Sequence, residues 1–102
     1  MQPKITTNGA GKYSIAGELN NQTVPVVSVE LGKLISTTEG KSISLDLALV
    51  SRSDSAGVAL LVEVMQLARS SDVSVVFLHL PQQMKDIAGI SGLLDILPLQ
   101  EK

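Results

Sequence analysis

The chain has 102 residues, 44% of them hydrophobic and 18% charged, with 8 basic against 10 acidic side chains and a net charge of -2. That length and balance predict one globular domain over residues 1–102, able to bury roughly two-thirds of the surface that its unfolded form exposes. Cysteine is absent and His79 is the only histidine, which excludes disulfides, thiolate chemistry and histidine-rich metal centres. The slight acidity gives no drive toward nucleic acid or an anionic membrane surface. With Tyr13 and Phe77 the only aromatic residues, the core must be aliphatic.

Lys4 to Thr7 reads as a short strand and Asn8-Gly9-Ala10-Gly11 as a hairpin turn, because asparagine and glycine tolerate positive φ. Tyr13 to Ala16 alternates apolar and polar residues as a half-buried strand, which Gly17 ends. Thr23 can cap a helix that opens with Val24 and Pro25. Val27, Leu31, Leu34 and Ile35 fall on one face of that helix, and Glu39-Gly40-Lys41 closes it. Ser42 to Leu47, S-I-S-L-D-L, is again a strand, and Val50 to Ser53 is a connection. Ser55 to Ser70 is the longest predicted helix, followed by a β-branched strand from Val73 to Leu80. Pro81 starts a last helix, Gln82 to Ala88, that Gly89 terminates, with a further break at Ser91-Gly92. Ile96 to Leu99 is a final edge strand, where Pro98 is tolerated. Alternating strand and helix after a hairpin predicts an α/β domain: a mixed, mostly parallel sheet of four or five strands with about three helices packed on it.

The stretch Leu45 to Arg69 carries the most information. A strand ends, a polar turn comes next, and a helix begins at Asp54-Ser55 with Asp54 as N-cap. Small residues at 55–57 leave the helix tip open to close approach. The helix dipole and free amides there favour a phosphate on a serine hydroxyl, while Asp54 opposes one. A phosphate adds about -1.5 to -2 charges. At ~4 Å and an effective dielectric of ~20, each pair of unit charges repels by about 4 kcal/mol. Phosphorylated Ser55 would therefore repel an acidic or apolar partner, which is the physics of an off-switch. From Ala56 to Ala68 only Gly57, Glu63 and Gln66 are not apolar. Such a helix is covered on both sides by its own chain, or part of it meets a partner.

The opening Y-S-I-A-G-E-L-N, the strand L-D-L-A-L-V-S and the run D-S-A-G-V-A-L-L resemble the STAS domain, the family of anti-sigma-factor antagonists and sulfate-transporter tails. The likeness covers Lys12 to Pro98. Within the family, V-S-R-S-D-S-A-G-V-A-L-L, Q-L-A-R and I-A-G-I-S-G-L-L-D-I-L-P look closest to the small STAS subunit of the Mla (maintenance of lipid asymmetry) phospholipid ABC transporter. The resemblance implies a STAS-like fold and a non-enzymatic subunit without a cofactor that binds and supports the ABC transporter ATPase. Such a subunit would be cytoplasmic and peripheral to the inner membrane through its partner. The resemblance puts the helix tip at Asp54 to Gly57 in the contact, and the expected partner-binding residues are Arg52, Ser53, Asp54, Ser55, Ala56 and Ala59. The alternative it carries is an anti-sigma-factor antagonist, with an anti-sigma-factor kinase as partner and Ser55 as the phospho-acceptor, since antagonists carry a phosphorylatable serine directly after the aspartate. Ala48 and Ala56 depart from the family's commoner serine or glycine. The antagonists' long last helix is not expected here, since only Gln100, Glu101 and Lys102 follow Leu99.

The polar start at residues 1–10 is no secretory signal, and the longest apolar run, Val58 to Val62, is far below the ~20 residues that span a bilayer, so the expectation is a cytoplasmic protein without membrane insertion. Gly9, Gly11 and Gly17 form no phosphate-binding loop. Asp46 reads as a polar residue on the opposite strand face from Leu45 and Leu47. His79, a lone histidine with no acidic partner in the sequence pattern, reads as structural. A nucleotide or lipid site has no converging polar residues to support it.

Overall fold

The elements run β1 (Lys4–Gly9), β2 (Lys12–Leu19), α1 (Val24–Ser36), β3 (Ser42–Ser53), α2 (Ser55–Ser70), β4 (Ser74–Leu78), α3 (Gln82–Ile90) and β5 (Leu99–Gln100) in a computed structural model. The structure describes residues 3–38 and 42–100. The sheet order is β1-β2-β3-β4-β5. The β1–β2 hairpin is antiparallel, and every later pair is parallel.

The alternation of S-I-S-L-D-L decides which face of the sheet is packed. Ile43, Leu45 and Leu47 of β3 are buried, together with Ile15 and Leu19 of β2 and Phe77 of β4. Against them lie Val27, Leu31 and Ile35 of α1, Leu60, Leu61 and Val64 of α2, and Met84 and Ala88 of α3, forming one apolar cluster. Ser44 and Asp46, the intervening residues of β3, stay partly exposed on the other face. A parallel sheet covered on both faces would read as a continuous apolar run; the polar alternates mark this one as packed on a single face.

Two expectations fail together. Gly17 does not end β2, and Val50 to Ser53 is not a connection. With φ +105 at Gly17 and register shifts on either side of Ala16 and Gly17, β2 runs on to Leu19 and gives β3 a partner as far as Ser53, with Gly17 opposite Val50 and Leu19 opposite Ser53. A glycine in a strand pattern here marks an irregularity that the ladder absorbs.

The remaining differences lie at element ends. Thr23 is the N-cap of α1, as expected, but makes no side-chain cap bond; its hydroxyl donates to the Glu18 carbonyl at 2.9 Å and accepts from the Asn20 amide at 2.9 Å. Asn20 braces the turn before the helix, its Oδ1 accepting from the amides of Gln22 at 2.8 Å and Thr23 at 3.1 Å and its carbonyl from the Val24 amide at 2.9 Å. The predicted stop at Glu39-Gly40-Lys41 lies outside the described residues; α1 ends at Ser36 with Thr37 as C-cap. β4 stops at Leu78 because His79 turns to φ +55. α3 continues through Gly89, and Gly92, at φ +73, is the residue after its C-cap. The Leu93 amide reaches back to the Ala88 carbonyl there at 2.8 Å, the geometry that a left-handed glycine permits. The last strand starts at Leu99 rather than Ile96, and Pro98, which has no amide to give, accepts from the Phe77 amide at 2.9 Å.

The nearly all-apolar helix α2 is explained within the chain. α1 and α3 flank it, with Ser28 of α1 donating a hydrogen bond to Glu63. What α2 leaves fully exposed is a polar and small-residue stripe through Ser55, Ala59, Glu63, Gln66, Arg69 and Ser70, flanked by the partly buried Val62, Met65 and Leu67.

Candidate functional site

β2, β3 and β4 are parallel, and each is followed by its helix. The N-termini of α1, α2 and α3 therefore gather at the carboxyl edge of the sheet, where α/β folds place their sites. The Asp54 amide donates to the Leu19 carbonyl at 3.2 Å, tying the start of α2 to the end of β2. The Asp54 carboxylate accepts from the Ala56 amide at 2.8 Å, so the predicted N-cap forms. The Gly57 amide donates to the Asp54 carbonyl at 3.1 Å.

The expected contact residues divide into two groups. Arg52, Asp54, Ser55 and Ala59 are exposed, and Ala56 is partly so. Ser53 is only 3% exposed. Its hydroxyl donates to the Asp54 carbonyl at 3.0 Å, and its amide donates to Gln83 Oε1 at 2.7 Å. The openness expected of residues 55–57 also ends at Gly57, which is buried.

An open cleft of about 440 Å³ lies beside the tip, lined by Glu18, Asn20, Arg52, Ser55, Gln83 and Ile87 among others. Asn20 Nδ2 donates to Glu18 Oε2 at 3.1 Å, fixing the acidic wall. Glu18 and Arg52 are register neighbours on adjacent strands. Sequence reasoning does not single out Glu18, Asn20, Gln83 or Ile87 as site residues. Glu18 and Asn20 sit in the motif G-E-L-N, which is legible as a pattern without a role; Gln83 and Ile87 carry no local signal, since only the fold brings α3 to this edge.

His79 does have an acidic partner, contrary to the expectation from the chain alone. Its Nδ1 lies 3.1 Å from Asp46 Oδ1, an oxygen that also accepts from the Ala48 amide at 2.9 Å. No nucleophilic hydroxyl is hydrogen-bonded to this pair among the described residues. Nor, among them, does any group of three or more acidic or histidine side chains form a metal-binding cluster, and no helix is long and apolar enough to cross a membrane.

A family model described as "Mlab, STAS domain" matches residues 6–99. None of the curated proteins matches the chain. Similar solved structures include the anti-sigma factor antagonist SpoIIAA in its unphosphorylated form, 18% identical with a TM-score of 0.76 over 98% of this chain and 87% of that one. The Bacillus cell fate determinant SpoIIAA in the phosphorylated form is 19% identical, with a TM-score of 0.72 over 98% and 90% of the two chains. An anti-sigma factor antagonist from Mycobacterium paratuberculosis is 17% identical, with a TM-score of 0.80 over 96% and 85%. At these identities the structural likeness shows the fold alone.

Proposed function

The chain belongs to the STAS domain family, and from that premise we propose that it is a non-catalytic module that docks on a partner protein through the tip of α2, with Ser55 as a phosphorylatable gate. The observation that carries this reading is the pairing of exposed Ser55 with exposed Ala59 one turn later, on a helix whose apolar residues are otherwise used inside the chain. Two small side chains at a capped helix start offer a surface that a partner can approach closely.

A phosphate on Ser55 is compatible with the fold and incompatible with docking. The helix start favours an anion, so the tip need not unfold. The same group adds about -1.5 to -2 charges next to Asp54, which an apolar or acidic partner surface cannot accept without a large desolvation cost. This is the behaviour expected of an anti-sigma-factor antagonist, the class named for the similar structures, one of them in phosphorylated form. The partner would then be an anti-sigma-factor kinase.

A second reading is favoured by the description of the matching family model. On it the chain is an accessory subunit that supports the ATPase of a phospholipid ABC transporter, using the same tip without a phosphorylation cycle and associating with the inner membrane only through that partner. Intact-mass analysis of the chain after incubation with source-cell extract and ATP separates the two. One added phosphate, absent in Ser55→Ala, favours the gate. No added phosphate, together with co-purification of an ABC ATPase and a permease, favours the transporter subunit.

A further inference from the structure

We infer that Gln83 is a positioning residue for the Ser55 tip, an inference that rests on the docking reading above. Successive amides along a strand point to opposite neighbours. At the end of β3 the Asp54 amide goes to Leu19 of β2 at 3.2 Å, so the Ser53 amide points to the other side. There the ladder with β4 has already stopped, its last pair being Asp46 and Leu78. Buried amides need an acceptor, and Gln83, on the first turn of α3, supplies one with its Oε1 at 2.7 Å.

The position of Ser53 fixes that of the next three residues. Its hydroxyl holds the Asp54 carbonyl at 3.0 Å, and the Asp54 carboxylate holds the Ala56 amide, so Ser55 projects from a turn anchored, through Ser53, on Gln83. Gln83 is itself exposed and lines the cleft beside Ser55. A partner entering that cleft meets the side chain that keeps the tip in place. Through this bond α3 and the α2 tip act as one surface.

The test is a pair of substitutions read three ways. Gln83→Met keeps the length and removes the acceptor; Gln83→Glu keeps an acceptor oxygen. Amide exchange at Ser53 is measured by NMR and unfolding by urea. Capture from a source-cell lysate uses the tagged chain, the partner being whatever the wild type retains and Ser55→Glu loses. In Gln83→Met, Ser53 exchange should speed up about tenfold, as loss of one hydrogen bond allows. Capture should fall several-fold while the loss of stability in urea is no larger than that tenfold change accounts for, and Gln83→Glu should restore slow exchange and capture. Unchanged Ser53 exchange in Gln83→Met overturns the inference. So does undiminished capture, or a loss of stability in urea well beyond what the change in Ser53 exchange accounts for. If Ser55→Glu loses no protein, the docking reading fails and the positioning role with it, whatever Ser53 does.

Discussion

A Cβ on Gly57 would stand 2.0 Å from the Ser53 hydroxyl oxygen and 3.1 Å from the Leu19 Cβ. The first turn of α2 is therefore seated directly on the ends of β2 and β3, with no space for a methyl group. The Ser53 hydroxyl cannot simply swing away, because it is bonded to the Asp54 carbonyl. Within D-S-A-G the glycine serves internal packing, and the residues that stay accessible are Asp54, Ser55 and, in part, Ala56, with Ala59 one turn on.

Two glycine substitutions should have opposite signs. Gly57→Ala should destabilise the fold by about 1–3 kcal/mol, the usual range for overpacking. Gly32→Ala, in the interior of α1, meets nothing nearer than Leu67 Cδ1 at 3.9 Å and should stabilise by up to about 1 kcal/mol through helix propensity. Urea midpoints of the two variants, measured against wild type, check both signs.

The cap at Asp54 gives a third expectation. Asp54→Ala removes the acceptor of the Ala56 amide and should cost about 1 kcal/mol, while Asp54→Asn retains an acceptor and most of that stability. Thermal unfolding of the pair measures the difference.

Much of this edge of the molecule is legible in the sequence because its signals are local. The limits of α2, its Asp54 cap and the buried face of β3 each come from a run of neighbouring residues. What is not legible depends on contacts between distant segments. β3 reaches Ser53 only because β2 passes through Gly17, and the cleft exists only because α3 returns to the same edge. Asp46 and His79, 33 residues apart, meet because β3 and β4 are adjacent. Thr23 shows a different limit: the cap position is read correctly, but its hydroxyl bonds the Glu18 carbonyl and the Asn20 amide instead of the first turn of the helix. Composition gives a candidate cap, and only geometry decides which hydroxyl or amide takes the role.

The turn after α2 offers a test of backbone conformation. Asp72 sits at φ +59, and the Val73 amide behind it closes on the Ala68 carbonyl at 2.8 Å. Asp72→Val places a β-branched residue in the left-handed region and should cost about 1–2 kcal/mol, whereas Asp72→Gly should not destabilise. Equal loss in both variants, measured by urea unfolding, would point to the carboxylate rather than to the backbone.

The docking surface should be confined to the tip. Ala59→Arg should abolish partner capture with an unchanged urea midpoint, because Ala59 is exposed and its replacement touches only what binds from outside. Gln66→Arg, further along the same exposed stripe, should leave capture intact. Loss in both would extend the interface along the whole helix.

The most direct measurement is capture by the tagged chain from a lysate of the source cells, with wild type and Ser55→Glu compared side by side and the retained proteins identified by mass spectrometry. The account predicts that the wild type retains a defined partner, an anti-sigma-factor kinase or an ABC ATPase with its permease, and that Ser55→Glu loses it while unfolding in urea like the wild type. Equal retention by both proteins would contradict docking through the α2 tip.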